Sequence, residues 1–446
     1  MTHVTEAVHP YLRHFETLES AWRANSGSWA VPMRRRAITT FGELGIPTPK
    51  HEEWKYTDVR ELEKLPLIHA SAVAEPDPAL IAPLIEALRA EGDELVSRLV
   101  LVDGRFSERF SDVSRLPTGV TVLPFGRAVA ERRAEIEASL GTVAVSQAHP
   151  FVALNTAFFQ DGAYVHVARG TRQMGALHVL HVTTGAGGVT ASHPRNLILL
   201  EESTQFRVIE DYSSLGTEPF LTNPVTEALV GPNARLELYK IGRESAGVFH
   251  LAGTFLQMDR DSHVHTHNLS QGSRLTRNDL GVELNGTGGE CVLNGLNVAQ
   301  SRQLMDDHTT IIHAVPHCAS REYYRSVLSD ESQGVFNGKV LVRQDAQKTD
   351  GIQSNNALIL SPRALMNTKP QLEIFADDVR CTHGATIGQL DAESLFYLRS
   401  RGIDRESARR MLVHAFASDV VERMEWKPVR ELASAMLDRS LGHGIG

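Results

Sequence analysis

A cysteine and a histidine two residues apart, Cys381 and His383, stand in the stretch Ala376-Asp377-Asp378-Val379-Arg380-Cys381-Thr382-His383-Gly384-Ala385-Thr386-Ile387-Gly388. Side chains alternate with a period of two along an extended segment, so the thiol and the imidazole project from the same side. They could share one metal ion. Thiolate with imidazole suits zinc, copper or iron-sulfur chemistry, but two donors are half a coordination sphere. Either a partner supplies the rest or the pair is structural, and the spacing leaves both open.

Other constellations are weaker. His263-Val264-His265-Thr266-His267 puts three imidazoles on one strand face, a set that could bind zinc or iron. In-line neighbours on a strand lie about 6–7 Å apart, too far for all three to reach one ion, so a polar, solvent-facing rung is expected. Asp306-Asp307-His308 reads as turn residues at a corner, and Cys318 as a small buried thiol. Asp377 and Asp378 imitate the carboxylate pair of β-helix glycosidases, and a carbohydrate-active enzyme using either one is the alternative reading. Glycoside hydrolysis needs two carboxyl groups flanking the scissile bond, whereas adjacent strand residues point to opposite faces. The sequence contains no phosphate loop, no dinucleotide fingerprint and no nucleophile elbow. No nucleophile-and-base set emerges, and a non-enzymatic protein is expected.

The 446 residues exceed one ordinary core and imply two or three domains. Hydrophobic residues at 42% and charged residues at 22% are those of a soluble globular protein. With 45 basic and 54 acidic side chains the formal charge is −9, which argues against nucleic-acid binding. Three cysteines, Cys291, Cys318 and Cys381, form no CxxC pair and point to a reducing compartment. The N-terminus has no signal-type apolar core, and no run approaches the ~20 apolar residues of a membrane span. A cytoplasmic location is expected.

The elements that must position the Cys381–His383 pair follow from periodicity. Leu12, Phe15, Leu18 and Trp22 recur at helical spacing, and two helices are expected between Glu6 and Glu43 with a break near Ser26-Gly27-Ser28. Gly45 to Thr57 contains two prolines and reads as an ordered connector. Helix is expected again over residues 79–100 and from Arg127 to Leu140, so residues 1–150 form an α-rich domain. Residues 151–390 are rich in short alternating strands. A turn pattern recurs at Leu200, Val230, Met258 and Leu284, at steps of 30, 28 and 26 residues, with a last copy at Leu360. Such a period, with hardly any helix, predicts a β-solenoid. Residues 391–446 turn helical: Asp404 is an N-cap, and Ala408, Met411, Leu412, Ala415 and Phe416 make an apolar stripe. These helices are expected to cap the end of the rod and to offer part of their apolar surface for docking.

Three separated motifs carry a family resemblance: Glu53-Trp54-Lys55-Tyr56-Thr57, Asp377 to Gly388, and Leu395-Phe396-Tyr397-Leu398-Arg399-Ser400-Arg401-Gly402-Ile403. In this order they resemble the SufB/SufD family of iron-sulfur cluster assembly proteins. The resemblance implies a mainly β fold, a right-handed parallel β-helix between an α-rich N-terminal domain and a C-terminal helical domain. It also implies a scaffold role in a complex with SufB and the ATPase SufC, which docks on the C-terminal helices and holds the ATP. A transient iron or iron-sulfur cluster would form at the subunit boundary, with a SufB cysteine and a SufD histidine contributing. His383 stands at that histidine and Cys381 at its neighbouring thiol. The family's link to reduced flavin has no signature in this sequence. Where SufB-like sequences read Thr-Gln-Cys-Asp-Ser, this chain reads Ile352-Gln353-Ser354-Asn355-Asn356, and serine is a poor iron-sulfur ligand. An isolated chain is also expected to be able to pair with itself.

Overall fold

The recurring turns share one backbone device. Ser203, Asn233 and Asp261 have φ of +61°, +53° and +55°, the left-handed region that short polar side chains tolerate. Gly288 at +77°, His317 at +60° and Lys348 at +61° take the same place in later coils. Each turn passes the chain from a strand of one sheet to a strand of the other. In the computed structural model, which describes residues 9–24, 28–88, 96–146, 149–173 and 175–442, these turns build a two-sheet parallel β-solenoid.

The ten-stranded sheet contains Gln205–Ser214, Arg235–Arg243, His263–Gln271, Glu290–Ala299, Ala319–Leu328, Asp350–Ile359 and Arg380–Gly388, parallel and in that order. The eleven-stranded sheet interleaves Val225–Val230, Val248–Met258, Leu275–Leu284, Leu304–His313, Gln333–Val342 and Leu365–Ile374. Successive strands of one sheet therefore start close to thirty residues apart. Leu360 is not a further copy of the first turn. It lies between Asp350–Ile359 and Leu365–Ile374, at the opposite corner of the coil, while the equivalents of Leu284 are His313, Val342 and Ile374.

Pairing in register stacks like positions into ladders. Leu236 faces Val264, Val264 faces Cys291, and the column continues through Ser320 and Gly351 to Cys381. Leu236, Val264 and Cys291 belong to the buried core between the sheets.

The sheets begin earlier in the chain than the change of composition at residue 150. Val96–Val102 pairs in parallel with Ala176–Thr183, and Val120–Pro124 runs antiparallel to Ala163–Val167. Helix over 79–100 is replaced by Pro78–Glu86, capped by Asp77, and by the strand from Val96, whose alternate residues join the solenoid core. The expected helix from Arg127 to Leu140 is two short ones, Phe125–Glu131 and Arg133–Ser139, because Arg132 leaves helical geometry at φ −121°, ψ 35°. The N-terminal helices His9–Arg23 and Val31–Leu44 pack through Tyr11, Phe15 and Phe41, and the expected break at 26–28 falls mostly on residues outside those described.

The Gly45–Thr57 connector is a strap across the outer face of the eleven-stranded sheet. Trp54 lies under the Arg277 guanidinium at 3.8 Å. Thr57 donates to Asp306 at 2.5 Å, Asn337 donates to Glu53 at 3.1 Å, and Lys369 pairs with Glu52 at 2.6 Å. These partners sit on four successive strands, so the strap ties neighbouring coils together. Asp306 and His308 are thus strand residues facing the strap, and not corner residues.

The C-terminal helices are Ala392–Ser400, Arg405–Val421 and Lys427–Gly442; the second starts after Asp404, the expected N-cap, and Asp391 and Asp404 accept from the Ser394 and Ser407 backbone amides. Their placement differs from the expected end cap. The second and third lie along the outer face of the ten-stranded sheet, where Val413, Ala417, Val420, Trp426 and Met436 cover Tyr239, Ile241, Leu269 and Leu296. Outward apolar residues on that sheet need cover more than the rod end does, because a fully buried Leu or Ile gains about 1.5–3 kcal/mol.

Candidate functional site

Arg380–Gly388 is the last strand of the ten-stranded sheet, bonded to Asp350–Ile359 on one side only. Among the described residues no strand pairs with its opposite edge, and such a row of backbone donors and acceptors is a template for pairing with another chain. Register places Cys381 opposite Gly351 and His383 opposite Gln353, both in columns that point between the two sheets. The thiol and the imidazole therefore share a face at the open end of the rod.

Their surroundings differ. Cys381 is half-buried and packs against the small cluster of Val340, Val342 and Ala376, and burial pushes its thiol up. A thiol so placed loses its proton when it ligates a metal. His383 is exposed. Among the described residues no three His, Cys, Asp or Glu side chains are placed to hold a metal ion, so the pair stands without a third such side chain.

The remaining candidates lie elsewhere. His263, His265 and His267 share one outward face; His263 is solvent-facing beside Glu290, as expected of a polar rung, whereas His265 and His267 are covered where the C-terminal helices pack. His265 sits 3.1 Å from Glu425, and His267 stacks on Tyr239 at 5.0 Å, where burial pushes it down to about 3. Asp377 and Asp378 lie in the exposed turn before the last strand, and Asp378 pairs with Lys348. Cys291 and Cys318 are buried in the solenoid core. Ser354, which replaces the SufB-type cysteine, stands opposite Gly384 and so lies off the Cys381–His383 face.

Two residues that spacing did not single out complete the column behind His383. Gln353 stands opposite His383, and Glu322 stands opposite Gln353. The Gln353 amide donates to the Glu322 carboxylate at 2.5 Å, both side chains are buried, and burial pushes that carboxyl up to about 7. Polar residues at inward positions were the available signal, legible only once the register is known.

Apolar side chains gather around the open end: Ile352, Leu365, Phe375 and Ile387 are exposed there. On the first C-terminal helix Phe396 is 74% exposed and Tyr397 57%, and no residue of that helix is buried. Exposed apolar surface on this scale marks interaction sites.

The parallel solenoid thus ends in an edge strand that carries a thiol and an imidazole on one face, and the first C-terminal helix leaves Phe396 and Tyr397 exposed. Two family models cover most of the chain: the SufBD protein N-terminal region over residues 5–179, and SUF system FeS cluster assembly, SufBD core domain, over 181–416. An iron-sulfur cluster assembly SufBD family protein of Synechocystis is 32% identical over 88% of this chain and 87% of its own. The iron-sulfur cluster assembly protein SufD of Escherichia coli is 31% identical over 94% and 95%, and SufD of Bacillus subtilis 24% over 93% and 94%. The chain belongs to the SufBD family of iron-sulfur cluster assembly proteins.

Proposed function

We propose that this chain is a SufD-like, non-catalytic scaffold subunit of the SUF assembly complex. On this reading the open end of the solenoid pairs with SufB, and His383 with Cys381 gives two donors to iron or to a nascent cluster, aiding iron entry. The metal is cargo, held in passing. Residues 391–446 seat the ATPase SufC, and ATP is bound only there, since this sequence has no phosphate loop. The work takes place in the cytoplasm, where thiols stay reduced.

The observation that carries the reading is the edge strand Arg380–Gly388, paired on one side, with an exposed imidazole and a half-buried thiol on one face. A strand edge recruits a strand, and a half-complete donor set recruits donors. The test is co-purification from cell extract of the tagged chain with SufB and SufC, joined to maturation of iron-sulfur enzymes under conditions that depend on this pathway. His383→Ala is expected to lower maturation by about tenfold or more. Intact maturation in that variant would overturn the role given to the imidazole.

A further inference from the structure

Gln353 is a buried amide in the column that ends at His383. Its amide nitrogen is spoken for, since it donates to the Glu322 carboxylate. The amide oxygen is thereby turned the other way, is buried, and has no hydrogen-bond partner. Such an orphan acceptor is costly and asks for a donor. The next inward side chain along this column is His383, one strand further toward the open edge, and neighbouring strands lie about 4.8 Å apart. The slot for the amide is also built from the opposite sheet: a Cβ on Gly338 would collide with the Gln353 amide nitrogen and with the Phe336 ring. Gly338 has no left-handed backbone to explain it, so the space it leaves for Gln353 is the visible use of that glycine.

We propose that Gln353, oriented by Glu322 and accommodated by Gly338, is the positioning residue for His383. Its amide oxygen accepts the spare ring N–H of the imidazole, and so fixes which ring nitrogen faces outward to the cargo metal. The inference rests on the reading of His383 as a donor. Histidines that bind metals are generally oriented this way through their second nitrogen. A file of carboxylate, amide and imidazole places a neutral amide next to His383, so the imidazole is oriented without a buried charge beside it.

The test uses the full-length chain with 15N-labelled histidine, the His383 signals being those lost in His383→Ala. One ring nitrogen of His383 is expected to carry the proton in most molecules. Gln353→Met and Gly338→Ala should return it to the mixture of tautomers found in free imidazole, and Glu322→Gln, which frees the amide to flip, should do so in part. In the assembled complex Gln353→Met is expected to weaken Fe2+ loading by about tenfold. A wild-type His383 already in the free-imidazole mixture, unchanged in both Gln353→Met and Gly338→Ala, would overturn the proposal. Failure of the underlying reading shows separately, as maturation that ignores His383→Ala while the tautomer still responds to Gln353.

Discussion

His308 and Asp306 lie 3.0 Å apart, side by side on the outer face of the Leu304–His313 strand and directly beneath the strap. Burial disfavours charge on the imidazole, but Asp306 and Glu53 outweigh it and hold His308 up at about 9. A group raised on folding contributes fully below its ordinary value of 6.5 and loses that contribution as the pH rises through about 9. Urea unfolding should therefore show a loss of stability on the order of 3 kcal/mol between those limits. His308→Gln should flatten that part of the profile. An unchanged slope in the variant would mean that some other group titrates.

Cys381 packs with Val340 and Val342 and also shares a face with His383, so packing and the proposed ligation would make different demands on it. Cys381→Ser keeps the volume and changes the chemistry. The unfolding free energy should change by about 1 kcal/mol or less, the usual range at a half-exposed site, while iron-sulfur maturation falls together with that of His383→Ala. Normal maturation with only a stability change would assign the thiol to packing alone.

The turns were the most legible part of the chain because their chemistry is local. Ser203, Asn233, Asp261 and Gly288 each sit at a left-handed φ, and the residues that tolerate it are few. The helix starts at Asp391 and Asp404 were legible for the same reason. Which surface the C-terminal helices cover was not, although outward Tyr239, Ile241, Leu269 and Leu296 formed an apolar strip that only strand register brings together. The column behind His383 was hidden by an inversion of the usual pattern. On Asp350–Ile359 the apolar Ile352 is 44% exposed while Gln353 and Asn355 point inward, so alternation read by hydrophobicity assigns the wrong face.

The exposed first C-terminal helix offers a cleaner probe of ATPase docking than truncation does. Removing residues 391–446 would uncover the apolar strip from Tyr239 to Leu296 and destabilise the solenoid itself. Phe396 and Tyr397 are mostly exposed, Tyr397 with the Arg401 guanidinium 5.2 Å from its ring, so Phe396→Ser with Tyr397→Ser should change the unfolding free energy by about 0.5 kcal/mol or less. SufC capture should fall at least tenfold in that variant while SufB capture holds. Retained SufC capture would place the docking surface elsewhere.

The open strand edge makes a prediction about the chain on its own. Arg380–Gly388 exposes its outer backbone, and Ile387, 49% exposed and opposite Ala357, adds apolar surface at the rim. Without SufB, the available strand of matching geometry is the same strand of a second copy, which can pair with it about a two-fold axis. Sedimentation of the isolated chain should therefore show a dimer that dissociates on dilution. A lysine at an edge is a natural guard against such pairing, because association would bury its charge. Ile387→Lys should give a monomer of unchanged fold and weaken SufB capture by the same substitution. A dimer that survives Ile387→Lys would show that copies associate through a surface other than the terminal rung.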